Sequence, residues 1–216
     1  MSAAFREGRW WQAVGSSVPR DALILPRLVP SLWPGSGRAI RRPLLAEGGG
    51  AHLPWVAFWQ DGQYLGRERL AEEHPSWSDR DVEWHALRNL RYQRAAWRRA
   101  DVKLGMWKRL RVLACEGAMA AERLLDRGLL WEAQDLLRAG RLVVAIPRRG
   151  CLLATVADKS PELLARFDLI VSAQYHGGET PPLTPQRFTV RDARILDVSP
   201  LMSARVAGAE PVVLHS

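Results

Sequence analysis

A basic stretch with aromatic residues between its arginines is the part of the chain best suited to binding chemistry. Residues 85–114 contain nine arginine and lysine residues and one acidic residue, Asp101. Guanidinium groups neutralise nucleic-acid phosphates, and aromatic side chains stack on bases. The stretch therefore predicts nucleic-acid binding, and the predicted contact residues are Arg88, Arg91, Arg94, Arg98 and Trp97. The alternative is that the tryptophans are core residues and the arginines form a solvated face.

A second candidate is the pair Arg148 and Arg149, which lies in a short loop between two apolar runs. Pro147 presets φ for a turn, and Gly150 accepts a positive φ without steric cost. Two guanidinium groups beside the free N–H groups of a turn are suited to holding a phosphate or a carboxylate. We therefore predict Arg148 and Arg149 as ligand-binding residues, against the alternative of a solvated turn.

The chain shows no residue pattern typical of catalysis. Residues 72–85 hold carboxylates and two histidines, which are ligands for divalent metals. Helix capping and a solvated loop account for the same residues, so no metal site is predicted. Gly-x-Ser-x-Gly, Walker A and His-Glu-x-x-His sequences are absent. Cys115 and Cys151 have apolar neighbours, which raise a thiol pKa. We predict no catalytic residues and no cofactor.

The composition limits what the charge can indicate. The 216 residues carry a net charge of +8, and lysine occurs only at positions 103, 108 and 159. Such an excess of arginine is typical of a GC-rich bacterial genome, so the net charge alone is weak evidence for nucleic acid. No apolar run reaches the roughly 18 residues of a transmembrane helix, and no secretory signal is recognised, so we predict a cytoplasmic protein without a membrane partner.

These candidates must be positioned by a few recognisable elements. The apolar runs 142–146 and 151–156 predict a central β-hairpin with both faces covered. Further hairpins are predicted at residues 55–66 and 187–198. Ser78 and Asp81 form a capping-box pattern that predicts a helix running to about Arg99.

Two more helices are predicted at residues 129–139, ended by Gly140, and 160–177. The pattern predicts an α+β fold, with a mostly antiparallel sheet built from hairpins and covered by helices. Residues 38–216 are interpreted as a single α+β domain. Residues 1–37 are interpreted as an N-terminal segment with two alternatives: a mobile arm, or a segment in which residues 22–29 form an edge strand interrupted by Pro26.

Several short segments, taken in order, resemble a known family. The segments are Arg-Pro-Leu-Leu-Ala-Glu at 42–47, residues 57–62, residues 86–90, residues 120–125, residues 142–149 with 152–153, residues 183–185, and Phe188. Over roughly residues 38–195 they resemble an uncharacterised bacterial family known as YtpQ-like. The resemblance implies a soluble cytoplasmic protein with no assigned activity and no established catalytic residues. Members often carry an acidic residue where this chain has Gly150.

The functional expectation from the sequence is a non-enzymatic binding or adaptor protein of the bacterial cytoplasm, with another protein as a possible partner. Its basis is an ordinary apolar core without converging polar residues. Two alternatives are kept open. One is nucleic-acid binding through residues 85–111, and the other is an unrecognised hydrolase whose site is assembled from distant residues.

Overall fold

The computed structural model describes residues 24–33, 37–45, 53–103, 109–177 and 180–201, and its strands form two antiparallel sheets and a ribbon. The first sheet has the order β1-β3-β2, with β4 paired to the end of β3. Its strands are β1 (Leu25–Val29), β2 (Arg41–Pro43), β3 (Trp55–Gln60) and β4 (Gln63–Tyr64).

The second sheet has six strands in the order β12-β11-β9-β10-β8-β5. Its strands are β5 (Arg98–Arg99), β8 (Leu113–Glu116), β9 (Arg141–Ala145), β10 (Cys151–Val156), β11 (Gln186–Arg191) and β12 (Arg194–Pro200). The separate ribbon consists of β6 (Val102–Lys103) and β7 (Arg109–Leu110).

Four α-helices and a 3-10 helix cover the sheets. They are α1 (Arg67–Glu73), α2 (Asp79–Tyr92), the 3-10 helix (Ala121–Leu125), α3 (Arg127–Leu137) and α4 (Pro161–Gly177). The α+β prediction is confirmed, with the difference that the strands divide into two sheets. No helix in the described ranges combines the length and apolar character needed to cross a bilayer.

The six-stranded sheet lies between two apolar layers because its central strands alternate their side chains. Val143 and Ala145 face α4 and pack with Phe167. Leu142 and Val144 face the opposite side, where α3, the 3-10 helix, α2 and one face of the first sheet share a larger cluster. Both faces of β9 and β10 are therefore covered, as predicted for the central hairpin.

The first sheet begins before the predicted domain boundary. β1 pairs with β3 along its whole length, so the boundary between residues 37 and 38 falls inside this sheet. β1 is an edge strand, which is the position where Pro26 is tolerated. Residues 1–23 lie outside the described residues, so the rest of the predicted N-terminal segment is not compared with the structure.

Helix α2 starts as predicted but ends seven residues early. The Ser78 hydroxyl accepts a hydrogen bond from the Asp81 N–H, and the Asp81 carboxylate accepts one from the Ser78 N–H at 2.8 Å. At the other end the buried Arg123 donates to the Leu90 carbonyl at 2.6 Å and to the Gln93 carbonyl. A side chain thirty residues away thus satisfies the last carbonyls of the helix, and no local sequence pattern reveals such a cap.

Helix α3 also ends differently from the prediction. Arg138, with φ of 50°, adopts the left-handed conformation at its end, so the prediction that Gly140 ends the helix is wrong. The Gln134 side chain donates a hydrogen bond to the Gly140 carbonyl at 2.7 Å. This contact holds the chain as it turns into β9.

Candidate nucleic-acid interface

The second part of the basic stretch, from Arg98 onward, forms a β-ribbon at one edge of the second sheet. Arg98 and Arg99 pair with Ala114 and Leu113, and Lys103 pairs with Arg109 further along. The Ala100 N–H donates to the Val112 carbonyl at 2.8 Å, which connects the two paired regions. Residues 98–103 and 109–114 therefore run antiparallel as one basic ribbon, and residues 104–108, including Trp107, lie outside the described residues.

The arginines of this basic ribbon carry charge that the described protein does not neutralise. Arg98, Arg99 and Arg109 are exposed, and Arg111 is half-buried. None of the four makes a salt bridge within the described ranges. Asp101, the acidic residue of the stretch, accepts a hydrogen bond from the Val112 N–H at 3.2 Å. Its carboxylate thus helps to hold the ribbon together.

The outer surface of α2 adds an exposed aromatic ridge. Trp84 is 57 % exposed and Tyr92 is 72 % exposed, and Arg88 lies between them. The Arg88 guanidinium carbon is 5.4 Å from the centroid of the Trp84 ring and 6.0 Å from that of the Tyr92 ring. The spacing of four residues places all three side chains on one face of the helix. Arg91 and Arg94 are also exposed near the end of α2.

Trp97 differs from the other predicted contact residues because it belongs to the core. Its side chain is 9 % exposed, and its indole N–H donates to the Leu129 carbonyl at 2.8 Å. The predicted role of Trp97 in base stacking is therefore corrected. The helix ends at Tyr92, so Trp97 lies beyond it, after a segment without regular secondary structure. Arg88, Arg91, Arg94 and Arg98 all reach the surface.

The loop that carries Arg148 and Arg149 is covered by a neighbouring segment. The Arg148 guanidinium donates to the Gln174 side chain at 2.6 Å, and the Arg149 N–H donates to the Pro181 carbonyl at 3.1 Å. Thr180 donates a hydrogen bond to the Arg149 carbonyl. The turn N–H of Arg149, which an anion would require, is thus already bonded, and these contacts favour a structural role for the loop.

Glu122 is a buried carboxyl group whose pKa is affected by Arg149 of this loop. Glu122 is completely buried and accepts a hydrogen bond from the Leu28 N–H at 3.2 Å. Burial raises the pKa of this carboxyl group, while the positive charges of Arg27 and Arg149 lower it in part. The fold therefore favours the protonated form of Glu122, although nearby arginines act in the opposite direction.

The window of residues 72–85 uses its acidic groups in structural contacts. Asp79 pairs with Arg67 at 2.7 Å, and Glu83 pairs with Arg42 at 2.5 Å. The two histidines stack on opposite sides of Trp77, with ring centroids 4.0 Å apart in each case. The described part of the chain contains no group of three metal-ligating side chains.

The cysteines are poorly suited to nucleophilic catalysis. Cys115 and Cys151 are both free and buried. Cys115 pairs opposite Leu152, so the two thiols project from opposite faces of the sheet. Burial raises the pKa of the Cys115 thiol and raises that of Cys151 to about 12. At neutral pH both groups are held as unreactive thiols.

Two of the surface clefts in the described part of the molecule bear on the hydrolase alternative. The larger, of about 550 Å³, is mostly apolar, and Tyr175 is the titratable residue in its lining. The smaller, of about 300 Å³, includes Asp126, whose carboxylate contacts Arg123 at 3.1 Å and accepts from the Gly128 N–H at 3.0 Å. Neither cleft assembles an acid, a base and a nucleophile among the described residues, so neither favours the hydrolase alternative.

Comparison of the chain with family models, with curated protein sequences and with solved structures gave no significant match. The resemblance to the YtpQ-like family stays a prediction.

Proposed function

We propose that this is a non-enzymatic binding protein of the cytoplasm that contacts nucleic-acid phosphates through its basic ribbon. The observation that carries the proposal is that three exposed arginines, Arg98, Arg99 and Arg109, and the half-buried Arg111 make no salt bridge in the described ranges. Phosphate contacts of this kind bind nucleic acid without reading its sequence. The two-stranded form of the ribbon also suits the grooves of a duplex.

Edge protection is the main structural alternative for these charges. Charged residues on an edge strand discourage pairing with a second molecule. The edge is formed by β5 and continues through β6 to Lys103. Arg109 and Arg111 lie on the opposite strand of the basic ribbon, so protection of the edge at residues 98–103 does not account for them. This excess favours an anionic partner.

A protein partner is the second candidate, and the ridge Trp84–Arg88–Tyr92 supports it. Tryptophan, tyrosine and arginine are the residue types that dominate protein interfaces, and both aromatic rings of the ridge are exposed. A complex with a partner protein that is held mainly by the aromatic rings would lose little affinity when salt is added. Nucleic acid held by the ribbon would dissociate steeply. Salt dependence therefore separates the two candidates.

The test compares a charge reversal at the β5 edge with one at the hairpin end where β11 joins the opposite edge strand, β12. Fluorescence anisotropy with a labelled duplex of about 20 base pairs measures the affinity of the unmodified protein, of Arg98→Glu/Arg99→Glu, and of Arg191→Glu/Arg194→Glu. Both double variants change the net charge equally, and all four arginines are exposed. The ribbon variant is expected to lose roughly tenfold or more in affinity, and the control about twofold or less. Equal losses, or no binding by the unmodified protein, would contradict the proposal.

A further inference from the structure

The outer face of the first sheet carries a second group of arginines and aromatic rings. Leu28, Val56 and Phe58 point from this sheet into the main core. Side chains alternate along a strand, so Arg27, Trp55 and Trp59 point to the opposite, outer face. Sequence reasoning missed this face, although the alternation Trp55-x-Ala-x-Trp59 is a readable sign of it.

The register places these side chains in a cross around a small residue. Arg27 on β1 and Arg41 on β2 both pair opposite Ala57 of β3. Trp55 and Trp59 lie two residues before and after Ala57, which puts their Cα atoms about 13 Å apart along the strand. On the same face Leu25, Val29 and Ala57 are buried, while the two arginines and two tryptophans are half-buried and form its accessible part.

Each arginine lies over the face of one tryptophan. The Arg41 guanidinium carbon is 4.3 Å from the centroid of the Trp55 ring, and that of Arg27 is 5.2 Å from the centroid of Trp59. A guanidinium plane stacked on an indole has a second face on which another planar group can stack, while its N–H groups remain able to bind an anion.

The aromatic surface continues beyond Trp59. Tyr64 on β4 pairs opposite Trp59, with ring centroids 4.7 Å apart in an edge-to-face arrangement. The ring of Trp33 lies against that of Tyr64, with ring centroids 4.1 Å apart. Two further rings, Tyr64 and Trp33, therefore extend the cross toward the end of the sheet.

The charge of this face favours an anionic ligand. Strands β1 to β4 contain no aspartate or glutamate. Asp61, in the turn after β3, pairs with Arg69 at 3.0 Å. Glu122 lies at the free edge of β1, where it is fully buried and accepts from the Leu28 N–H. A ligand that combines planar groups with negative charge complements such a face.

We infer that the outer face of the first sheet binds unpaired bases of single-stranded nucleic acid. Bases stack on the Arg41–Trp55 and Arg27–Trp59 pairs, and the guanidinium groups bind the phosphates between them. Base pairing hides the faces of bases in a duplex, so this surface selects single strands. The inference rests on the proposed function, that nucleic acid is the ligand, and it specifies the form that is bound.

The test uses a single-stranded oligonucleotide and a duplex of equal length with three variants. Trp55→Leu/Trp59→Leu removes the rings, and Trp55→Phe/Trp59→Phe retains aromatic faces. Arg27→Gln/Arg41→Gln removes the guanidinium groups without removing the rings. The leucine and glutamine variants are expected to lose roughly tenfold or more in affinity for the single strand and to keep duplex affinity. The phenylalanine variant is expected to keep most of the affinity for the single strand.

Retained duplex binding also shows that each variant is folded, because duplex binding depends on the basic ribbon. If the leucine variant fails to fold, the glutamine variant decides the test. Unchanged affinity of the glutamine variant for the single strand, or equal losses for single strand and duplex, would overturn the inference. If the unmodified protein binds neither the single strand nor the duplex, the proposed function itself would be overturned.

Discussion

The two edges of the six-stranded sheet are built in opposite ways. Strand β12 at one edge carries an exposed arginine, an exposed leucine and an exposed aspartate, namely Arg194, Leu196 and Asp197. A register shift in its pairing with β11 and a terminal proline, Pro200, further limit pairing with another strand. These are ordinary ways of protecting an edge, and they leave little net charge.

The β5 edge has a different composition and continues further. Its two residues are both arginine, and the basic ribbon extends the charge to Arg109 and Arg111. Both strands are edges of the same sheet, and the shorter one carries the larger positive charge. The difference between them therefore indicates that the charge at β5 has another use, and binding of an anionic polymer is the use we propose.

The largest effect is expected from removing the residue that holds the basic edge in place. Arg123→Ala removes hydrogen bonds to the carbonyls of Leu90 and Gln93 and leaves the Asp126 carboxylate without its cation. Breaking a buried ion pair costs about 3–5 kcal/mol, so the free energy of unfolding should fall by about that amount. Urea denaturation measures it.

Hydrogen exchange locates the effect of Arg123. Amides of residues 98–103 should lose protection in the Arg123→Ala variant more than those of β12, because the segment before β5 is tied to Arg123 and β12 is not. Equal loss of protection at both edges would show that the two edges do not differ in this way.

A pH dependence is expected from Glu122, which closes the edge of the first sheet. Burial raises its folded pKa, so the fold favours the protonated carboxyl group. Its stabilising contribution is complete below the usual glutamate pKa near 4.3 and is lost as the pH rises through the raised value, at about 1.4 kcal/mol for each pH unit within that window.

Glu122→Gln keeps an acceptor for the Leu28 N–H but does not titrate. As the pH rises from 4, the free energy of unfolding of the unmodified protein should therefore fall relative to that of this variant. Denaturation of both proteins at several pH values measures the difference. A constant difference between pH 4 and pH 8 would contradict the assignment.

The smallest effect is expected for the two cysteines, which lie on the interior strands β8 and β10 of the six-stranded sheet. With a pKa of about 12, Cys151 has about one thiolate in ten thousand molecules at pH 8. Iodoacetamide should modify Cys115 and Cys151 slowly in the folded protein and rapidly in urea, as followed by mass spectrometry. Rapid modification of the folded protein would show that β8 and β10 are accessible.

Local patterns were sufficient to predict much of the fold. The apolar runs around Pro147 and Gly150 gave the central hairpin, and Ser78 with Asp81 gave the start of α2. Each of these signals lies within a few residues of the structure that it specifies. The end of α2 depends on Arg123, which is distant in the sequence, so no local pattern could reveal it.

The candidate site was predicted as charge but not as geometry. The run of arginines marked a basic region, and the helix predicted to reach about Arg99 ends at Tyr92, so that Arg98 and Arg99 belong to a strand. For Trp97 the sequence left a base-stacking role and a core position open, and the bond from its indole N–H to the Leu129 carbonyl, 32 residues away, decides for the core. The cross around Ala57 depends on the pairing of three strands, which only the structure provides.

The most direct test of the central claim is the slope of log affinity for duplex DNA against log salt concentration. Each phosphate contact contributes about −0.9 to this slope. The slope for Arg98→Glu/Arg99→Glu should be shallower than that of the unmodified protein by about two, and the slope for Arg191→Glu/Arg194→Glu should be unchanged. Equal slopes for the two variants, or an affinity that does not depend on salt, would contradict a phosphate-binding role for the basic ribbon.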